Sequence, residues 1–575
     1  MRNSSHRVDF CVVGGGMAGL CAAVAAARHG TRVALIQDRP VLGGNASSEV
    51  RMWVCGARGP DMRETGILEE IMLENLRRNP LGNWPLWDSV LYGLARYQPN
   101  LEMFLNASVL EAEMDGPRLR AVTAWQLTSE TRVRVEADLF ADCSGDSILA
   151  PLSGAEFRIG REARREFGED IAPEESDLRT MGMSCLIQAR ETDREQEFIP
   201  PSWANRYERD QDLPLRGHKL DPNSNFWWME LGGEQDSIHD TEHLRDDLLR
   251  VAFGVWDHIK NHGDHGARNW TLEWVGFLPG KRESRRYLGD HILTQNDIRA
   301  SGPFDDIVAY GGWPMDDHHP GGMRHPGKPT IFHPAPSPYG IPYRCLYSRN
   351  VENLFCAGRN ISATHTGISS TRVMGTCAIL GQAVGTAAAI AARAGLSPRE
   401  VHQRRLRELQ TLLMEDDCHL PGLTRAVPAL SRDARLVASE GDPEPLRNGM
   451  DRPAAGAANA WAAPPGSWVE YRFAAPCAVE QARLVFDSNL NREKTNLPCS
   501  YPLGMPSRAM PPALTRAFRL EIQGADGAWR LAHRTGDNTQ RLVRAPLSGI
   551  ACAVRFIPES TWGGPAAGLF AFDVR

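Results

Sequence analysis

The stretch that most constrains this chain runs from Val8 to Ile36. An apolar run, Val8 to Val13, leads into Gly14-x-Gly16-x-x-Gly19. An alanine-rich helical stretch follows and ends at Gly30, a natural residue just past a helix. A second apolar run occupies Thr31 to Ile36. This strand–turn–helix–strand unit has the length that a dinucleotide fold uses. Gly14 permits the tight turn, Gly16 lets the backbone approach a pyrophosphate, and Gly19 lets the helix pack closely on the strand. The helix begins with Met17 and Ala18. Its N-terminus offers free N–H groups and a positive dipole end to phosphates.

The acidic residue expected about 20 residues further on is displaced. The strand ends Leu35-Ile36-Gln37-Asp38, with Gln37 where Glu is usual and Asp38 one residue away. The Gln37 amide can bind ribose hydroxyls, so the departure touches the ribose contact and not the fold. A second glycine turn follows in Leu42 to Glu49, with Gly43, Gly44, Asn45 and Ser48.

The chain has 575 residues, enough for two to four domains. A net charge of −7 and a pI near 6.2 give no electrostatic footprint for nucleic acid. No apolar run in the sequence reads as the ~20-residue length of a membrane span, so no membrane partner is expected. The N-terminus, Met1 to His6, has no apolar signal segment and leads straight into the first strand, which makes the cytoplasm the expected compartment. The 12 cysteines form no Cys-x-x-Cys pair. A disulfide framework, a cysteine zinc site and a dithiol redox centre are therefore not expected, and no metal site is assigned.

Further along, residues 61–79 read as a helix, with Ile67, Leu68, Ile71, Met72 and Leu76 at helical spacing and Pro80 as the stop. Trp84 and Trp87 read as wedges between helices. Residues 101–113 and 121–136 alternate as strands around Asp115-Gly116, and Leu139 to Ala141 runs into Asp142-Cys143-Ser144-Gly145-Asp146. Residues 156–345 are polar, rich in Trp and His, and lack the βαβ rhythm. Within them, Met181 to Gln188 and Phe226 to Glu230 read as strands and His243 to Lys260 as an amphipathic helix. Asn353 to Asn360, with Gly358 and Arg359, is a buried strand with a glycine turn. Ile361 to Thr371 reads as a polar loop, and Arg372 to Ala392 as a long helix whose Gly375, Gly381 and Gly385 let it lie close to a sheet or cofactor. Ser397-Pro398-Arg399-Glu400 is a capping box that starts a helix through Met414. From about Ala429 the chain shows short alternating strands and many prolines, the pattern of a β-sandwich.

On these pieces the sequence resembles the FAD-dependent oxidoreductase family with a glutathione-reductase-type FAD fold. The matching segments are Gly14 to Gly19, Leu42 to Glu49, Ala141 to Asp146, Gly280 to Arg286 and Ala357 to Gly385. The C-terminal order of strands resembles discoidin-type, galactose-binding-like modules. The resemblance implies an α/β FAD-binding domain of the two-dinucleotide, Rossmann-like type with an inserted α+β substrate domain, then an all-β sandwich. The FAD-binding domain would take 1–155 and 346–395, the substrate domain 156–345, a helical linker 396–428 and the sandwich 429–575. It also implies that Leu42 to Glu49 runs beneath the cofactor, that Val109 passes near the adenine, and that Ser144 and Gly145 lie on the return strand. Gly358, Arg359, Arg372 and Gly375 are expected beside the flavin.

A flavin performs hydride transfer, and the protein supplies orientation, a base and electrostatics. Taking a hydroxyl proton most often falls to His. The densest candidate is Pro314 to Gly322, with His318 and His319; adjacent histidines usually point in different directions, so at most one need face the substrate. His365 precedes the long glycine-rich helix and is a comparable candidate. A metal reading of Asp316, Asp317, His318 and His319 has no fixed spacing behind it. Gly280 to Tyr287 packs three arginines and a glutamate together, and Arg285 could hold an anionic or polyhydroxyl substrate, against an ion-pair knot as the plainer reading. Arg372, a cation at a helix start, opposes the dipole and suggests a contact with flavin or substrate.

Three readings stay open on sequence alone. The first is oxidation of a secondary alcohol of a sugar, glycoside or polyol by hydride transfer to FAD. The second is flavin-linked dehydrogenation or reduction of a carbon–carbon bond in a carboxylate. The third is a glycan-binding protein whose FAD is structural. The partner in each is a small molecule, with carbohydrate and a homo-oligomeric assembly both open.

Overall fold

The computed structural model describes residues 2–221, 224–454, 457–492 and 500–575. They form two compact units, each assembled from separated stretches of chain. The first comprises 1–58, 82–409 and 496–506, and the second 59–81, 410–495 and 507–575.

The first unit is built on five parallel strands in the order Leu101–Phe104, Val33–Ile36, Arg2–Val13, Thr131–Asp142, Leu354–Cys356. The antiparallel hairpin Ala107–Asp115 and Arg118–Gln126 joins the edge of Thr131–Asp142. The first strand is longer than its apolar core, because Arg2 to Arg7 pair with Thr131 to Glu136. The two central strands are buried along their C-terminal halves, which explains their continuous apolar runs.

Two helices made largely of small residues cover one face. Met17–Arg28 and Met374–Ala394 cross so closely that a Cβ on Gly381 would lie 1.9 Å from the Ala18 carbonyl oxygen, and one on Gly385 2.1 Å from that of Ala22. Gly381 and Gly385 thus accommodate the first helix rather than the expected sheet or cofactor. Met374–Ala394 is long and apolar enough to cross a membrane, a run the sequence reading passes over, yet it is almost wholly buried in the protein. Its start also differs from the expected Arg372: the stretch read as a polar loop forms a separate helix, His365–Thr371, capped by the Thr364 hydroxyl, which accepts from Gly367 N–H at 3.0 Å. Arg372 therefore sits at the C-terminal end of that helix, where a cation is favourable.

The inserted region forms small sheets rather than one large one. Met183–Ser184 lies between Glu230–Leu231 and Gly280–Lys281, and Ile187–Glu191 between Trp270–Val275 and Ser500–Tyr501. The expected strand over Phe226 to Glu230 shrinks to Glu230–Leu231, since Phe226 has φ 53° and turns the chain. The helix Thr241–Asn261 packs Leu244, Leu248, Val255 and Trp256 into the region's own core. Met315–His318 and Thr330–His333 make a hairpin. The region shares the first unit with the parallel sheet.

The second unit is a seven-stranded antiparallel sheet folded as a sandwich. Two long strands, Val469–Phe486 and Leu542–Thr561, pair along their length with register shifts. Tyr471, Phe486, Phe518, Phe556 and Phe572 fill its core. Arg425 and Arg483 are buried against Asp451 and Asp573. One feature departs from the expected boundaries. Residues 59–81, assigned by sequence to the first domain, belong to this unit. Their helix Ile67–Arg78 contributes Leu73 and Leu76 to the sandwich core, and its buried Glu69 pairs with Arg492 at 2.7 Å and accepts from Ser488 Oγ at 2.6 Å. The second boundary falls inside the helix Pro398–Glu415, between Leu409 and Gln410.

Candidate functional site

A cavity of about 530 Å³ opens in the first unit where Val13, Ile36, Cys143 and Gly358 end or follow the parallel strands. That is the edge at which open α/β sheets bind ligands. Its inner wall is the turn after the first strand. Gly14 has φ 99°, a conformation that side chains resist, and a Cβ there would lie 2.5 Å from Cys143 and Ser144 backbone atoms. Gly16 faces Gly44 with nothing nearer than 3.9 Å from its built Cβ, so a gap is left that any side chain would enter. Gly43 N–H donates to Gly15 O at 2.8 Å and ties the two glycine turns together.

Of the predicted cofactor residues, Gly14, Gly16, Met17, Ala18, Gln37, Asp38, Gly43, Gly44, Asn45, Val109, Ser144, Gly145, Gly358, Arg359 and Arg372 line this cavity. Three do not. Gly19 faces the strand, with its built Cβ 1.8 Å from Gly14 O. Ser48 N–H donates to Asp88 Oδ1 at 3.1 Å, and Gly375 N–H to Cys55 O at 2.7 Å, so both are turned to neighbouring chain. The Gln37 amide braces the turn: its Oε1 accepts from Gly15 N–H at 2.7 Å and its Nε2 donates to Val41 O at 3.3 Å.

The return strand ends in a charged cluster. Asp146 accepts from Arg359 Nη2 at 2.7 Å, Lys281 Nζ at 2.9 Å and Ser284 Oγ at 2.7 Å. Burial would raise its pKa, but Arg359 and Lys281 hold the carboxyl well below the usual carboxylate range. Asp142 is a buried hub that accepts from Ser144, Leu149 and Tyr287; burial raises its pKa. Arg359 Nε and Arg372 Nε are buried with no hydrogen-bond partner among the described residues, so the cavity wall holds donors that a ligand can satisfy. The paired glycine turns, the gap over Gly16 and these donors fit a phosphate-bearing dinucleotide such as FAD.

The outer wall carries the chemistry. His318, on the Met315–His318 strand, lines the cavity with Nδ1 2.8 Å from Glu230 Oε2 and Nε2 3.2 Å from Asp316 Oδ2. Asp316 also accepts from Thr330 Oγ1 at 2.6 Å and Arg372 Nη2 at 3.2 Å. Burial opposes its charge, yet His318 in its protonated form and Arg372 keep it ionised well below the usual range. Burial likewise opposes the charge of Glu230, which Arg282 and His318 restore. Trp227, Trp313, Phe332 and Arg58 complete this wall, with Arg58 stacked 4.2 Å from the Trp313 ring.

The other catalytic candidates fall elsewhere. His319 is exposed and stacks on His325 at 3.6 Å between ring centroids, so it leaves the cavity to its neighbour. His365 is buried outside the cavity lining, with Nδ1 2.9 Å from Glu283 and Nε2 3.3 Å from Asp317. Burial disfavours its charge, and Glu283 with Asp317 overrides this, raising its pKa to about 10. A group already protonated at neutrality cannot take a proton there. Arg285 also lies outside the lining; it donates to Asp146 O at 3.3 Å and stacks on Phe157. The arginines of Gly280 to Tyr287 do not converge: only Gly280–Lys281 and Arg286–Tyr287 are strand, and the residues between them are irregular. Arg282 reaches the cavity instead, and Arg286 is buried against Glu162 at 3.0 Å.

Sequence reading therefore missed Arg282, Trp227 and Trp313 as cavity residues and Glu230 as the buried partner of His318, and passed over Asp146 and Lys281. Nothing in the spacing of Arg282, Arg285 and Arg286 marks the one that reaches the cavity, and Glu230 carries no signal either.

A family model described as FAD dependent oxidoreductase matches residues 9–413. No curated protein matches the chain. Among solved structures, a geranylgeranyl bacteriochlorophyll reductase-like protein from Thermoplasma acidophilum is 13% identical, covering 72% of this chain and 84% of its own, with a TM-score of 0.33. The family 32 carbohydrate-binding module from Streptococcus pneumoniae EndoD is 18% identical, covering 26% of this chain and 97% of its own, with a TM-score of 0.20. A chitosan-binding module from Paenibacillus sp. IK-5 is 15% identical, covering 25% of this chain and 97% of its own, with a TM-score of 0.19.

Proposed function

The chain belongs to the FAD dependent oxidoreductase family, and from that premise we propose that it oxidises a secondary alcohol of a sugar, glycoside or polyol. The observation that carries this reading is His318, held in the cavity wall between Glu230 and Asp316. Bound FAD supplies the hydride acceptor. In the neutral ring that gives its Nδ1–H to Glu230, Nε2 carries the lone pair, so Nε2 is the atom that takes the substrate hydroxyl proton once its contact to Asp316 opens. The imidazolium so formed stays between two carboxylates. Trp227, Trp313 and Phe332 give the same wall apolar faces suited to the C–H face of a sugar ring, beside a few polar groups that orient it.

The carboxylate reading is less well supported, because two of the three arginines of this wall are engaged by carboxylates, Arg372 with Asp316 and Arg282 near Glu230 at 3.6 Å, and the third, Arg58, stacks on Trp313. The test is anaerobic bleaching of the yellow protein by a panel of sugars, glycosides and polyols. At least one should reduce the flavin. His318→Asn should keep its colour and reduce about a hundredfold to ten-thousandfold more slowly. Sugar binding without bleaching favours the third reading, and wild-type rates in the variant remove His318 as the proton acceptor.

A further inference from the structure

The inserted region holds a group of side chains that the flavin cavity does not use. Asp210, His218, His258 and His265 each point one donor atom into a common space, and these four atoms lie within 4.8 Å of one another. None of the four lines the cavity. The three rings pack at 4.7–4.8 Å between centroids, and within that packing the donor atoms lie at ligand spacings. His258 Nε2 is 3.1 Å from both Asp210 Oδ1 and His265 Nε2, and His265 Nε2 is 3.4 Å from Asp210 Oδ1. A tetrahedral ion about 2.0–2.1 Å from N and O donors sets its ligands roughly 3.4 Å apart. His218 approaches less closely, with Nδ1 3.9 Å from Asp210 Oδ1, and its Nε2 is buried with no hydrogen-bond partner among the described residues.

A second observation is independent of these distances. The side chain of His258 is wholly buried, and its far nitrogen, Nδ1, lies 2.8 Å from the Tyr207 carbonyl oxygen. A ring N–H given to a backbone carbonyl leaves the opposite nitrogen as a lone-pair donor and fixes the ring, the outer-shell arrangement of metal-bound histidines. The fold also gives a cross-link something to do. Between Ile187–Glu191 and Glu230–Leu231, the one helical or strand element among the described residues is the 3-10 turn Asp210–Asp212. So long an irregular segment is uncommon in a compact domain. Asp210 and His218 come from it, His258 from the last turns of Thr241–Asn261, and His265 from the loop beyond.

We propose that Asp210, His218, His258 and His265 form a structural site for a divalent first-row transition ion, Zn²⁺ being the best match, which fastens the 192–229 segment to the end of the Thr241–Asn261 helix. Imidazole nitrogens with one carboxylate, and no sulfur, suit Zn²⁺, and four protein ligands leave no position for substrate.

The experiment uses the full-length flavin-loaded protein, stripped with a chelator and titrated calorimetrically with ZnCl₂. The expected result is one equivalent bound per chain, a higher thermal midpoint with Zn²⁺ and an unchanged flavin spectrum. His265→Ala and Asp210→Ala remove ligands at the rim, where folding is least at risk. Each should weaken binding by about a hundredfold or more and abolish the rise in midpoint. Co²⁺ loaded in place of Zn²⁺ should show the intense visible bands of four-coordinate geometry in the wild type alone. Absence of a stoichiometric Zn²⁺ site in the wild type, or equal binding in both variants, overturns the proposal.

Discussion

His365 is a buried cation, and its pH dependence can be worked out from its partners. Its pKa in the fold is about 10, above the ~6.5 of an unfolded histidine. The stability it contributes is therefore fully present below about pH 6.5 and is lost as pH rises through about 10. Urea unfolding between pH 6.5 and 10 should show declining stability, and His365→Gln should flatten that decline while costing about 3 kcal/mol at pH 6.5, because Glu283 is left buried. An unchanged slope in the variant would show that His365 does not carry it. The same residue marks the limit of reading chemistry from sequence. His365 was visible as a histidine before a glycine-rich helix, but its fate was set by Glu283, 82 positions away. The pair His318 and His319 was half legible: alternation sends one inward, and the phase of the strand decides which. Gln37 lies one residue past the strand Val33–Ile36, and its Oε1 accepts from Gly15 N–H.

Among the elements, the crossing of Met17–Arg28 with Met374–Ala394 is the tightest, and it fixes the helix whose N-terminus faces the cavity. Gly381→Ala places a methyl 1.9 Å from Ala18 O, where neither partner is a flexible side chain. We expect a loss of about 1–3 kcal/mol from overpacking and weaker retention of FAD, measured by denaturation and by the flavin-to-protein absorbance ratio. Gly93→Ala is the matched control. Gly93 lies within the Trp84–Arg96 helix with nothing within 4 Å of its built Cβ, so a gain of up to about 1 kcal/mol follows from helix propensity. Equal effects of the two would mean that close approach is not the reason for glycine at 381. Long elements such as these were legible because periodicity and glycine spacing accumulate over many residues. Gly280–Lys281 and the helix His365–Thr371 were not, since two to seven residues are too few for a period to show, and the one strand read over Met181 to Gln188 is divided between Met183–Ser184 and Ile187–Glu191.

At the scale of the molecule, the helix Ile67–Arg78 governs how far the sandwich can be treated as an appendage. The change in composition near Ala429 was plain in the sequence, whereas the affiliation of residues 59–81 was not, because an amphipathic helix displays an apolar face without naming what covers it. A chain ended after Gly422 would keep Leu73, Leu76 and Glu69 but lose the core and the Arg492 that bury them. We expect such a chain to aggregate. Recovery of soluble, yellow protein would show that the helix tolerates exposure. The interleaved order of the two units also sets a timetable for synthesis. The helix leaves the ribosome early and its cover is finished only by the last strand, Ala567–Val574. At translation speeds of about 5–20 residues per second, Leu73 and Leu76 remain without their final partners for roughly half a minute to a minute and a half. During that interval they are a sticky surface on a growing chain, which makes this helix the natural place for a chaperone to hold.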